Sequence, residues 1–177
     1  MLVGDKARFA VEFELDAEKA RSPELGEWLF GTICFWCAGE RVGLHDEETT
    51  LRDVLNEAKR ILQGAPRRGD GDLLSAPKDE VLSRITDALF ADSGQSDSQA
   101  RADWERFSPF LVTPRVDVFD HWRIFLVEGG GRGRLIWSRR GDQAARERDL
   151  EEGEFDRVLQ AFLAGLHRLQ QDRLRPH

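Results

Sequence analysis

Two cysteines in the run Cys34-Phe35-Trp36-Cys37 are the first chemistry this 177-residue chain offers. Their spacing is that of a dithiol redox pair, or of half a zinc site. Redox pairs of this kind act at a helix N-terminus, where backbone amides lower the thiol pKa. Here the flanking residues, Trp28-Leu29-Phe30 before and Trp36 within, favour a strand, and strand alternation sends residues 34 and 37 to opposite faces. The chain has no third cysteine to extend a zinc site. Buried, inert thiols are the expectation.

The remaining candidates are weaker. His45, His121, His167 and His177 are scattered, and none forms a close metal-binding pair with another or with a cysteine. His121 stands between Asp120 and Trp122, where a carboxylate beside an imidazole offers either a general base or an interface group. The run Glu128-Gly-Gly-Gly-Arg-Gly-Arg134 invites comparison with phosphate-binding loops, but it lacks the Gly-Lys-Ser/Thr ending and opens no helix, so it reads as a hairpin loop. Its arginines, with Arg139 and Arg140, meet an acidic partner or solvate an edge strand. Asp46-Glu47-Glu48 and Glu151-Glu152 each precede an expected helix, where carboxylates complement the positive end of the dipole or form an acidic surface. No serine lies in a Gly-x-Ser-x-Gly elbow. No catalytic residue, metal ligand or cofactor is assigned.

Composition narrows the partners. A formal net charge of −7 repels phosphate backbones and anionic lipid surfaces, which argues against nucleic acid and favours encounter with a basic protein. The N-terminus carries no basic segment followed by an apolar run, so a cytoplasmic location is expected, and charges interrupt every apolar stretch before it reaches membrane-spanning length. With 40% hydrophobic and 33% charged residues, the chain has the makeup of one globular domain over residues 1–177.

The elements that must position these residues are legible in outline. From Arg8 to Asp16, Phe9, Val11, Phe13 and Leu15 alternate with polar residues, predicting a half-buried strand. Glu18 to Pro23 reads as a connection. Trp28 to Cys37 is apolar on both faces, and Ala38-Gly39 returns the chain toward Leu44, predicting a hairpin. Thr50 as N-cap, Asp53 three residues on, Gly64 beyond the end and an apolar face from Leu51 to Leu62 predict a helix. A second is expected with Ser75 as cap and Pro77 in its first turn, after a loop over 65–72. Residues 91–102 read as a mobile loop, and Trp104 to Phe110 as a helical turn stopped by Pro109. A second hairpin runs from Val116 through the glycines to Trp137, and a long helix from about Glu152 closes the chain with Phe155, Leu159, Phe162 and Leu166 on one stripe. Grouped strands with hairpin connections predict an α+β fold: an antiparallel sheet with about three packed helices.

The order of features resembles the bacterial family Immunity protein 42. An early Gly4-Asp5 before an alternating strand, a Trp28-x-x-Gly31 hairpin through Trp36, Gly39 and Gly43, and the helix start Leu51-Arg52-Asp53 carry the resemblance, which covers roughly the first third of the chain. The chain departs from the family pattern in having Ala38-Gly39 where an Asn-Gly turn is expected. The resemblance implies an antidote without catalytic activity, made in the producing cell, that binds a cognate toxin domain and blocks it sterically. Its expected contacts are Asp46, Glu47 and Glu48 before the first helix, and Asp120, His121 and Trp122 in the second hairpin. A small enzyme with a dispersed site near His121, or a regulatory module binding another partner, are the competing readings; a deep polar pocket would favour the former.

Overall fold

The structure, a computed structural model, describes residues 1–91, 94–142 and 144–173. Strands β1 (Leu2–Gly4) and β2 (Phe9–Leu15) pair antiparallel, and β2 follows the sequence alternation, with Phe9, Val11 and Phe13 in the core. Asp16 then caps a short helix, α1 (Ala17–Arg21), accepting hydrogen bonds from the amides of Glu18 and Lys19. The expected connection is thus a capped helical turn, closed by a side-chain acceptor for amides that have no partner inside the helix.

β3 (Phe30–Cys37) pairs with β2 from end to end and returns through Ala38-Gly39 into β4 (Glu40–Val42). Both turn residues have positive φ, 51° and 84°, as a two-residue type I′ hairpin turn requires. The hairpin starts two residues later than the sequence suggests. Trp28 belongs to the 3₁₀ turn Gly26–Trp28 and is 42% exposed, with the Arg52 guanidinium 3.9 Å above its ring. Leu29, at φ 54°, redirects the chain and takes the buried place.

β5 (Thr49–Thr50) adds to the free end of β3, completing a first sheet whose order is β1-β2-β3-β4 with β5 also beside β3. Helix α2 (Leu51–Gln63) follows, with Thr50 as N-cap and Gly64 as C-cap. The Thr50 hydroxyl bonds the Asp53 carboxylate and leaves the backbone amides uncapped. α3 (Gly71–Ser75) occupies part of the expected loop, capped by Asp70. Ser75 ends α3, and the next helix, α4 (Lys78–Phe90), has Pro77 at its N-cap.

α5 (Asp97–Phe107) replaces the second half of the expected mobile loop; Ser96 caps it by accepting from the Gln99 amide. Part of the expected loop, residues 92 and 93, lies outside the described residues. The second sheet is β6 (Trp122–Gly129), β7 (Arg132–Arg139) and β8 (Arg146–Glu151), with Gly130-Gly131 as the predicted tight turn. Val116 to Phe119, expected in the strand, instead leads into a 3₁₀ turn at Asp117–Phe119, because the backbone folds there against the loop after β4. α6 (Glu154–Arg173) closes the described fold.

The fold is α+β with antiparallel sheets, as expected, and with six helices among the described residues where about three were read. The inner face of the first sheet packs with α2 and α6, and Ile124, Leu126, Leu135 and Trp137 of the second sheet enter the same core. The other face of the second sheet, through Phe125, Val127 and Ile136, meets Leu73, Val81, Ile85 and Phe110 in a second core. Among the described residues no helix is long and apolar enough to cross a membrane.

Candidate functional site

The cysteines occupy strand positions of opposite parity, Cys34 facing Glu12 and Cys37 facing Phe9 in the β2–β3 ladder. Both are free and fully buried. Burial pushes the Cys37 thiol well above its ordinary pKa, and burial aided by the Glu12 carboxylate pushes Cys34 up to about 11. A reactive dithiol needs the reverse environment. Among the described residues no group of three or more His, Cys, Asp or Glu side chains is placed to hold a metal ion.

The two acidic or aromatic segments singled out in the sequence come from loops that the fold ties together. The Leu44 amide donates to the Val118 carbonyl at 2.9 Å, and the Thr49 hydroxyl donates to the Asp117 carboxylate at 3.1 Å. Gly43, at φ +109°, lies against the Phe119 ring; a Cβ there would stand 3.0 Å from it. That contact needs both the positive φ and the absence of a side chain. On this joined edge Asp46 and Glu47 are exposed, and Glu48 is engaged by Lys19 in an exposed ion pair. Asp120 and His121 are exposed in the turn that enters β6, where the Arg140 amide donates to the His121 carbonyl at 2.7 Å. Trp122 opens β6 opposite Arg139 and is half-buried against the main core.

Other sequence candidates are dispersed. Arg132 pairs with Asp149 and Arg134 with Glu147 on the neighbouring strand, and Arg134 also donates to the carbonyls of Leu73, Leu74 and Ala76. The basic hairpin therefore neutralises its own edge, except for Arg139 and Arg140. His167 contacts Gln171, His45 is half-buried, and His177 lies outside the described residues.

Asp120 and Trp122 also line an open cleft of about 350 Å³ that no local sequence pattern could assemble. Its walls come from the end of α4 (Phe90), α5 (Trp104), the loop at Arg115, β6 (Arg123) and the end of β7 (Arg140). Phe90 and Trp104 are among the exposed large hydrophobic residues. The Arg123 guanidinium stacks 3.9 Å above Phe90, and Arg115 lies 5.4 Å from the Trp104 ring centre. Both guanidiniums have lowered pKa values: burial is the first cause for each, followed by Arg60 for Arg115 and Arg140 for Arg123. The only sequence signal was an aromatic at the end of α4 and another on polar α5; neither identifies a cleft without the fold.

This arrangement offers binding chemistry: a rigid acidic edge beside an aromatic, cationic hollow. Among the described residues the His121 ring has no hydrogen bond to a carboxylate that would orient it as a base. In comparisons with known proteins, the family model described as Immunity protein 42 matches residues 1–164. The fold is similar to the crystal structure of CdiI from Burkholderia dolosa AUO158, with TM-score 0.74 and 22% identity over 93% of this chain and 99% of that one. No curated protein matches the sequence.

Proposed function

The chain belongs to the Immunity protein 42 family of toxin-neutralising proteins, and from that membership we propose that it acts by binding its cognate toxin domain and covering the toxin's working surface. The likeness to a CdiI protein supports the same reading at the level of fold. On this reading the chain performs no chemistry of its own and works in the cytoplasm of the cell that makes the toxin.

One observation carries the choice of surface: the loops bearing Asp46, Glu47, Glu48, Asp120, His121 and Trp122 are locked into a single edge by backbone and side-chain hydrogen bonds. A pre-ordered edge loses little conformational entropy on binding, which favours affinity from a modest contact. Its exposed carboxylates would speed approach of a basic toxin, and Trp122 would supply the anchoring area.

The test is co-expression with the cognate toxin domain, scored by growth rescue and by co-purification. The wild type rescues and forms a stable complex. Alanine at all six positions, in a variant whose melting transition stays cooperative, loses both. Rescue without a complex would replace the steric mechanism with an enzymatic one, and an undiminished complex would move the interface elsewhere.

A further inference from the structure

The cleft beside the acidic edge has a charge problem that the fold does not solve. Arg115, Arg123 and Arg140 line it with a single carboxylate, Asp120, and among the described residues none of the three guanidiniums has an ion-pair partner. The Nε of Arg123 is buried and without a hydrogen bond. Three more carboxylates stand across the adjoining hollow, beyond ion-pair distance of these arginines: Asp79 accepts from the Ala145 amide, Asp87 from Ser83, and Asp142 pairs with Arg146. Arg123 and Arg140 are also shared with an adjoining hollow, where Thr86 leaves its buried hydroxyl unpartnered. Two hollows therefore meet at a pair of mutually repelling cations and two unsatisfied donors.

We infer that the hollow around Arg123 and Arg140 is a socket for an acidic side chain of the toxin, with Phe90, Trp104 and Trp122 gripping the apolar surface next to that carboxylate. A carboxylate fits because a guanidinium presents paired N–H groups that match its two oxygens. At the outer guanidinium nitrogens it would relieve the Arg123–Arg140 repulsion. A protein group is favoured over a polyanion because the chain carries net charge −7, which repels extended phosphate backbones. The aromatic walls supply the arginine-plus-tryptophan environment in which binding energy concentrates at protein interfaces. The inference rests on the toxin-binding reading and gives its interface a second, oppositely charged half.

The experiment measures the dissociation constant of an inactive form of the cognate toxin domain for wild type, Arg123→Gln, Arg140→Gln and the double variant, together with their melting temperatures. Loss of a desolvated charge pair predicts binding weaker by roughly 30-fold or more for Arg123→Gln, while the melting temperature holds or rises because an unpaired, half-buried cation has been removed. Each toxin Asp and Glu is then changed to Asn or Gln. One of them should reproduce the loss and add nothing further when combined with Arg123→Gln. Unchanged binding by the arginine variants overturns the socket and leaves the toxin-binding reading standing. So does a loss that tracks a falling melting temperature and couples to no toxin carboxylate. If millimolar acetate, phosphate or a mononucleotide stabilises the wild type but not Arg123→Gln, while toxin affinity is indifferent to the substitution, the cleft is a small-anion site and the inference fails. A wild type that does not bind the toxin removes both readings.

Discussion

Replacing Arg68 with methionine should cost this protein more stability than any other single change to a charged residue. The side chain is completely buried, on the segment between α2 and α3. Its guanidinium donates to Asp156 at 2.7 Å, to the Pro109 carbonyl at 3.3 Å, to Glu128 at 3.4 Å and to the Ile61 carbonyl, and it faces the Phe155 ring. One cation thereby joins the end of α2, the turn before β6, β6 itself and α6. Methionine fills much of the volume but leaves two carboxylates, 10% and 14% exposed, without their counter-charge. Removing one member of a buried ion pair costs about 3–5 kcal/mol, and the two carbonyls that lose a donor place this case in the upper part of that range. At about 2–4 °C per kcal/mol for a domain of this size, the melting temperature should fall by roughly 10–15 °C. Thermal and urea unfolding followed by tryptophan fluorescence measure it. Adding Glu128→Gln and Asp156→Asn to Arg68→Met should restore a large part of the loss, since the Glu128→Gln side chain keeps an amide oxygen to accept from the Gly153 amide, which Glu128 engages at 2.8 Å. A loss under about 1 kcal/mol, or no recovery in the triple variant, would refute the assignment of Arg68 as the electrostatic centre of the fold.

Three further outcomes follow from the same structure. Ala38 holds a left-handed φ of 51° in the β3–β4 turn, so Ala38→Gly or Ala38→Asn should raise stability by about 0.5–1 kcal/mol in urea melts; a loss would mean the methyl group packs usefully. Cys34 and Cys37 should resist a thiol reagent at pH 8 in the native protein and both react after denaturation, whereas rapid native labelling of either would contradict their burial. The Arg8 hydrogen bond and charge hold the Glu154 carboxyl below its ordinary 4.5, so its stabilising contribution is present above pH 4.5 and disappears as pH falls through the lower folded value. Glu154→Gln should therefore be destabilised relative to wild type at pH 7, with the gap closing toward pH 3; a gap constant with pH would exclude this linkage.

What could be read from the sequence was whatever depends on local pattern. The alternation of Phe9, Val11 and Phe13, the Thr50 helix start and the α6 stripe are all single-element signals, and each appears in the fold. The missed elements have their reasons outside their own segments. β8, Arg-Glu-Arg-Asp-Leu-Glu, shows no apolar alternation because it is an edge strand held by cross-strand pairs, Arg134 with Glu147 and Arg132 with Asp149. α5 buries only Phe107 and opens on Asp97-Ser98-Gln99 directly after Gly94-Gln95-Ser96, so its start reads as a loop. Trp28 looked like a core residue because of its size, yet the left-handed Leu29 turns the strand away from it. Arg68 sits in a stretch rich in Gly, Pro and Arg whose meaning comes chiefly from partners 41 to 88 positions away. The six expected contact residues stand out only by their sequence neighbours, and the structure joins their two loops while adding a cleft drawn from five separate segments.

Two groups among the arginines of this chain differ in a way that bears on how the surface works. Arg8, Arg68 and Arg134 have carboxylate partners from distant sequence positions and serve the frame. Arg115, Arg123 and Arg140 converge on one cleft, two of them with ring faces for company and, among the described residues, none with a carboxylate within ion-pair distance of its guanidinium. An arginine whose role is solubility stays extended in water, where it needs no partner. Arg123 instead gives up hydration at its Nε and gains no hydrogen bond in exchange, a cost the isolated protein must carry. A partner carboxylate at the outer guanidinium nitrogens would offset that cost, so binding would gain free energy that folding alone leaves unrealised. The neighbouring edge has the opposite character, with Asp46 and Glu47 exposed to water, where on the proposed reading they would act chiefly on encounter rate. A toxin would thus be approached through hydrated carboxylates and retained through a partly dehydrated guanidinium, so that charge variants at Asp46 and Glu47 should change the association rate and its salt dependence, while Arg123→Gln should act on dissociation.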